Sequence, residues 1–210
     1  MAYLIQRIKE ELDKSGYEPR TSEARDWLKA KVASLSPNRT ALMKDRDNLK
    51  DKSMLGRMYF YFYDPKTKDM LPYYDRFPLV FPFKKVKGGF YGLNLHYLPL
   101  QFRAKLMDAL YGYANNTRYD ESTKIKMNYE LLAKTAKLRY FAPCVKHYLT
   151  NHMRSKFMYI YPSEWDIALF MPVEHFSKVS RTAIWKESLL DIYSVAGSKG
   201  EGEGEEEAVE

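Results

Sequence analysis

Four histidines and one cysteine restrict the chemistry open to this chain. Cys144, His147 and His152 form its one close group of soft ligands. Zinc needs a fourth ligand, and the C-x2-H-x4-H spacing matches no finger half. A thiol–imidazole nucleophile needs a depressed thiol pKa and an orienting group, so Cys144 is expected to be a buried structural residue. Asp64, Asp69 and Asp75 fall in an aromatic segment with Lys66, Lys68, Lys84 and Lys85 nearby. A nuclease would need two carboxylates converging on a divalent cation, with a lysine close to the scissile phosphate. These aspartates flank prolines and turns, which makes turn formation their leading role. Gly88-Gly89 lacks the rest of a phosphate-cradling loop. The chain therefore reads as non-enzymatic, with no catalytic residue, metal, cofactor or small-molecule substrate.

The stronger pattern is basic and aromatic. Lys84, Lys85 and Lys87 follow Phe81 and Phe83 and precede Phe90 and Tyr91. Lysines attract a phosphate backbone, and exposed rings offer stacking platforms for bases. Lys66 and Lys68 lie upstream, and Lys126, Lys134 and Lys137 share one quadrant of a helical segment. These eight lysines are the candidate nucleic-acid contacts. Two other readings stay open: tyrosine-rich surface also marks protein interfaces, and many of the rings belong to a core. The phenylalanines are assigned to the core first, and some tyrosines to an interface.

Charge distribution sharpens the pattern. The net charge is +7, yet residues 54–156 hold 18 Lys/Arg against 7 Asp/Glu, a net of +11. Such a block draws phosphates or other acidic surfaces by its long-range field, or is simply a solvated lysine-rich face. The tail GSKGEGEGEEEAVE has almost nothing to bury and is expected to be disordered, as a solubilising end or as a phosphate mimic folded over the basic face.

Several elements must position these residues. Leu4, Ile8 and Leu12 recur at helical spacing up to Gly16, a second helix follows Ser22 to Pro37, and a third carries Leu42, Arg46 and Leu49. Their apolar faces are thin, so they either wrap the downstream domain or form an arm that orders on a partner; the arm is favoured. Thirteen of the 40 residues from Met58 to Tyr97 are Tyr or Phe. RMYFYFYD reads as a strand with Tyr59, Tyr61 and Tyr63 on one side, their hydroxyls on the wetter face, and Met58, Phe60 and Phe62 on the other. Asp64 to Asp69 reads as a turn. Pro72, Pro78 and Pro82 argue for short edge or irregular strands in PYYDRFPLVFPF. Lys87-Gly88-Gly89 turns into a strand, FYGLNLHY. Helical spacing returns from Pro99 (Phe102, Leu106, Ala109, Tyr113), from Glu121 to Tyr140, and after Pro143 with Val145, Leu149 and His152. FMYIY is a strand, PSEWDIALFM a short helix, and SRTAIWKESLLDIY a closing helix. The expected class is α+β: a small aromatic-rich antiparallel sheet packed with helices, a helical N-terminal arm and a disordered acidic tail. The divisions are 1–53, 54–196 and 197–210.

Length and composition agree with one globular domain plus appendages, since 210 residues with 45% hydrophobic content support a real core. No apolar run is long enough for a membrane span. The N-terminus lacks the features of a secretory signal, and a lone cysteine fits a reducing compartment.

LGRMYFYFYDPKTKDMLPYYDRFPLVFPF, continued by GGFYGLNLHYLP, resembles late virion proteins of T-even-type contractile-tailed bacteriophages and their marine relatives. The likeness continues through CVKHYLTNHMRSKFMYIYPSEWDIALFMPVEHF to Ile184-Trp185-Lys186-Glu187-Ser188, covering about residues 54–190 and leaving out the N-terminal helices and the tail. The resemblance implies a virion protein made in the bacterial host cytoplasm, and supplies no catalytic residues. Two placements follow: the DNA end protector class, binding genome ends during head completion or head–tail joining, or a structural component of baseplate or neck whose partners are other virion proteins.

Overall fold

The computed structural model describes residues 4–194 except Asp45 and Asn115; the acidic tail beyond residue 197 lies outside the described residues. Two amphipathic helices open the chain. In α1 (Leu4–Ser15), Ile5, Ile8 and Leu12 form the buried stripe, and Gly16, at φ +76, ends the run. Helix α2 (Ser22–Leu35) begins at Thr21, whose hydroxyl accepts from the Ala24 N–H, and buries Ala24, Leu28 and Val32. The third helical segment is a single turn, α3 (Arg39–Leu42), because Leu49 already belongs to strand β1 (Leu49–Lys50). The N-terminal helices wrap the domain: their apolar residues join the same core as the sheet. Arg39 fixes α3 by donating from Nε to the Val173 carbonyl and from Nη2 to that of Glu174, both at 2.7 Å.

The sheet has six antiparallel strands. Besides β1 they are β2 (Met58–Phe60), β4 (Leu79–Val86), β5 (Gly89–Asn94), β6 (Val145–Leu149) and β7 (Phe157–Ile160), in the order β1-β7-β2-β4-β5-β6. A two-stranded ribbon pairs β3 (Tyr74–Asp75) with β8 (Phe176–Ser177). Strand β4 differs from expectation, being eight residues long and central despite Pro82. The register shifts between Pro82 and Lys84, and the Pro82 carbonyl accepts from the Gly56 N–H, so the missing proline N–H interrupts pairing only locally. The segment after Pro143 is likewise an edge strand and not a helix. Val145 and Leu149 fit a helical interval by coincidence, while pairing with Gly89–Leu93 fixes the extended form.

One sheet face carries Met58, Phe60, Leu79, Phe81 and Leu93. Covering it are α1, α2, α4 (Leu100–Ala114), α5 (Glu121–Thr135), α6 (Trp165–Phe170) and α7 (Arg181–Ser194), all of which add residues to this core. On α4 the buried face is Arg103, Leu106, Met107 and Leu110, with Ala109 exposed, so the apolar stripe is rotated slightly from the expected one. The opposite face holds Tyr59, Tyr61, Tyr63, Val80, Phe90, Tyr148 and Phe157 as a second core. The alternation along Met58–Tyr63 is thus as expected, but the tyrosine side is dry: Tyr59 and Tyr61 are 1% and 0% exposed.

That face is buried because the sheet curls upon itself. Within it β5 sits close to the strand on either side: a Cβ on Gly89 would overlap the Tyr148 carbonyl of β6, and one on Gly92 would collide with Val80 of β4. Tyr63, just beyond β2, meets the far strand β6, where its Oη accepts from the Leu149 N–H at 3.2 Å. Ring contacts between Tyr61 and Tyr148 (5.5 Å), Tyr61 and Phe157 (5.1 Å), and Tyr63 and Tyr148 (4.9 Å) fill the interior with edge-on packing.

Candidate nucleic-acid interface

All eight candidate lysines are exposed. Lys84 and Lys85 end β4, opposite Tyr91 and Phe90, and Lys87 precedes Gly88, whose φ of +78 suits a tight turn of glycine. The Gly88 carbonyl accepts from the Thr150 N–H at 2.8 Å, so this hairpin is tied to the segment leaving β6. The same segment holds the Lys66/Lys68 loop: the Asp64 N–H donates to the His152 carbonyl at 3.1 Å, and the Arg154 N–H donates to that of Phe62 at 2.8 Å. Residues 149–154 therefore carry two of the three lysine groups on one rim. Lys126 and Lys134 stand apart on α5, which packs over the Phe and Leu face beside β4, and Lys137 follows in the turn just past its C-terminal cap, Ala136.

The aromatic residues among these lysines divide by burial. Phe81, Phe83 and Phe90 are core. Tyr91 is half-buried and stacks on His147 with centroids 4.9 Å apart. His147, His152 and Cys144 do not converge. His152 directs Nδ1 to the Asp64 carbonyl at 2.9 Å, and Cys144 is buried, which pushes its thiol far up from its ordinary value. Among the described residues, no group of three or more His, Cys, Asp or Glu side chains is placed to hold a metal ion.

Beside the Lys66/Lys68 loop lies an open cleft of about 560 Å3. Lys68, Arg76, Arg154 and Lys178 line it with His175, against the carboxylates Asp64 and Asp69, and Phe62, Tyr63 and Tyr74 contribute rings. Asp64 pairs with Lys68 at 3.2 Å and with Arg154 at 3.5 Å; these cations hold its carboxyl below the usual range. Lys178 donates from Nζ to the carbonyls of Lys68 (3.1 Å), Asp69 (3.5 Å) and Leu71 (2.7 Å), clamping the loop. Arg76 is anchored through its backbone. Its carbonyl accepts from the Tyr63 N–H at 3.0 Å and its N–H donates to the His175 carbonyl at 2.8 Å.

Beneath the cleft, Asp75 fastens the β3–β8 ribbon to the sheet. Its buried carboxylate accepts from Phe77 N–H (3.0 Å), His175 N–H (3.4 Å), Asn94 Nδ2 (3.1 Å) and His96 Nδ1 (2.7 Å). Burial pushes the Asp75 carboxyl up, but His96 and the other donors outweigh it and hold it below its ordinary value. A buried ion pair, Arg103 Nη1 to Glu174 Oε1 at 2.8 Å, joins α4 to the loop that leads through His175 into β8. Asp75 is thus a positioning residue for the cleft, a role the turn chemistry of its neighbours did not disclose. Arg76, Arg154, His175 and Lys178 were also missed in the sequence. They come from separate segments that only the ribbon and the curl bring together.

A family model described as Phage T4 terminal DNA protecting protein matches residues 7–188. The chain belongs to that family. The match to the terminal DNA protecting family starts within α1, so it includes the N-terminal helices that the phage resemblance left out, as well as every candidate lysine and the cleft. No curated protein and no solved structure matches this member of the family. Among its described residues no helix is long and apolar enough to cross a membrane.

Proposed function

We propose that the protein is a virion component that binds and shields the duplex ends of the phage genome during head completion or head–tail joining, without catalysing a reaction. Membership of the terminal DNA protecting family carries the reading. Support comes from the rim, where Lys66 and Lys68 on one side and Lys84, Lys85 and Lys87 on the other flank residues 149–154. Lys126 and Lys134 on α5, with Lys137 in the turn that follows it, supply a second basic group, suited to the duplex beyond its terminus.

The test is fluorescence anisotropy with linear duplex DNA across a salt series, with closed circular DNA as competitor. If the eight lysines each neutralise one phosphate, log affinity falls against log salt with a slope of about −7. Circles compete poorly, and reversal of Lys84, Lys85 and Lys87 to glutamate abolishes binding. Equal competition by circles would reduce the rim to a generic polycation. Absence of binding at low salt would overturn the reading in favour of a baseplate or neck assembly role.

A further inference from the structure

The cleft beside the rim has features that the eight lysines lack. It is concave, and its volume of about 560 Å3 lies within the roughly 300–1,000 Å3 typical of small-ligand pockets. Four cations face two carboxylates, leaving an excess of two positive charges. Asp64 spends its charge on holding Lys68 and Arg154 at the mouth, and Lys178 is occupied by the loop carbonyls. The guanidinium of Arg76 makes no hydrogen bond or ion pair among the described residues, although its backbone is fixed on both sides. An unengaged planar guanidinium rising from a fixed stretch of backbone, with a second one at Arg154, matches the geometry of a phosphate oxygen pair better than any ammonium does. Phe62, Tyr63 and Tyr74 give the same cleft apolar walls for the sugar or base attached to that phosphate.

We propose that this cleft receives a phosphomonoester at the terminus of a DNA strand, with Arg76 and Arg154 as its principal ligands and His175 beside them. The inference rests on the end-binding reading and gives it a means of telling an end from the interior of a duplex. A terminal monoester carries more charge and one more free oxygen than an internal diester, and only a terminus enters a concave site.

A hairpin duplex with one blunt end, bearing a 5′-phosphate, a 3′-phosphate or hydroxyls alone, separates the possibilities by anisotropy at fixed salt, with circular DNA as competitor. One monoester form binds about tenfold tighter than the hydroxyl form, the gain expected of one charge-assisted contact, and the preferred form identifies which strand end is held. Arg76→Ala and Arg154→Ala, both at exposed residues, bring the ratio toward one. Lys84→Ala weakens all three forms alike and leaves the ratio intact. A ratio near one in the unaltered protein, or a ratio untouched by both arginine variants, overturns the proposal even where circles compete poorly and end binding stands. A preserved, arginine-dependent ratio with full competition by circles upholds the cleft and overturns the part of the end-binding reading that rests on the lysine rim, which is then a generic polycation. Absence of binding to every form overturns both.

Discussion

At the scale of single residues, the buried charges decide more than the exposed ones. Arg103 belongs by count to the basic middle segment, yet its side chain is 0% exposed and spends its charge on Glu174, which is 2% exposed. Breaking such a pair leaves an uncompensated charge in the interior. Glu174→Gln is expected to cost about 3–5 kcal/mol in urea unfolding, and Arg103→Met at least as much, since Arg103 also donates to the buried carbonyls of His96, Leu98 and Leu169. Acid should act through the same groups. Burial raises the Glu174 carboxyl, but Arg103 and His96 outweigh it, so Glu174, like Asp75, sits below its ordinary value. Groups with lowered carboxyl pKa values stabilise the fold fully above their unfolded values of 4.5 and 3.8 and lose that contribution as pH falls through the folded ones. His175 is also lowered, by burial and by the Arg39 and Arg76 cations, so the unfolded chain takes up its proton first as pH falls below 6.5. Urea midpoints should therefore decline in two stages, a shallow one below about pH 6.5 and a steep one below about pH 4.5. His175→Gln should remove the first and leave the second.

At the scale of elements, legibility followed the range of the cause. The alternation of Tyr59, Tyr61 and Tyr63 with Met58, Phe60 and Phe62 is local, and it survives in the two cores. Pro82 misled because a proline's lost N–H says nothing about a Gly56 donor arriving from another loop. The dryness of the tyrosine face was hidden for the same reason: it follows from Tyr61 and Tyr63, at the end of one strand, meeting Tyr148 and Leu149 of a strand some eighty positions later. Gly89→Ala should destabilise the fold by several kcal/mol, since the new methyl meets backbone at Tyr148 and not a side chain that can swing away; a large loss of urea midpoint checks this. The cleft was illegible because its ribbon forms only when residues 74–75 and 176–177 pair across a hundred positions. Lys178 offers a test of its clamp. Lys178→Met removes the amine shared by three loop carbonyls, and amide exchange at residues 67–71 should accelerate while the β4–β5 hairpin stays protected.

For the whole molecule, the curl also settles how copies of this chain can and cannot meet. A sheet edge with unpaired backbone groups is a template for strand addition and aggregation. Here one edge is β1, only two residues long and ending in Lys50. At the other, the outward N–H of Leu149 is already taken by Tyr63, and the loop carrying Lys66 and Thr67 lies alongside β6. The first border is too short to template a long strand, and the second is closed at its Leu149 end. Copies crowded together at one genome terminus would thus find little sheet border to share, which favours separate units free to exchange on and off over a fibre built strand to strand.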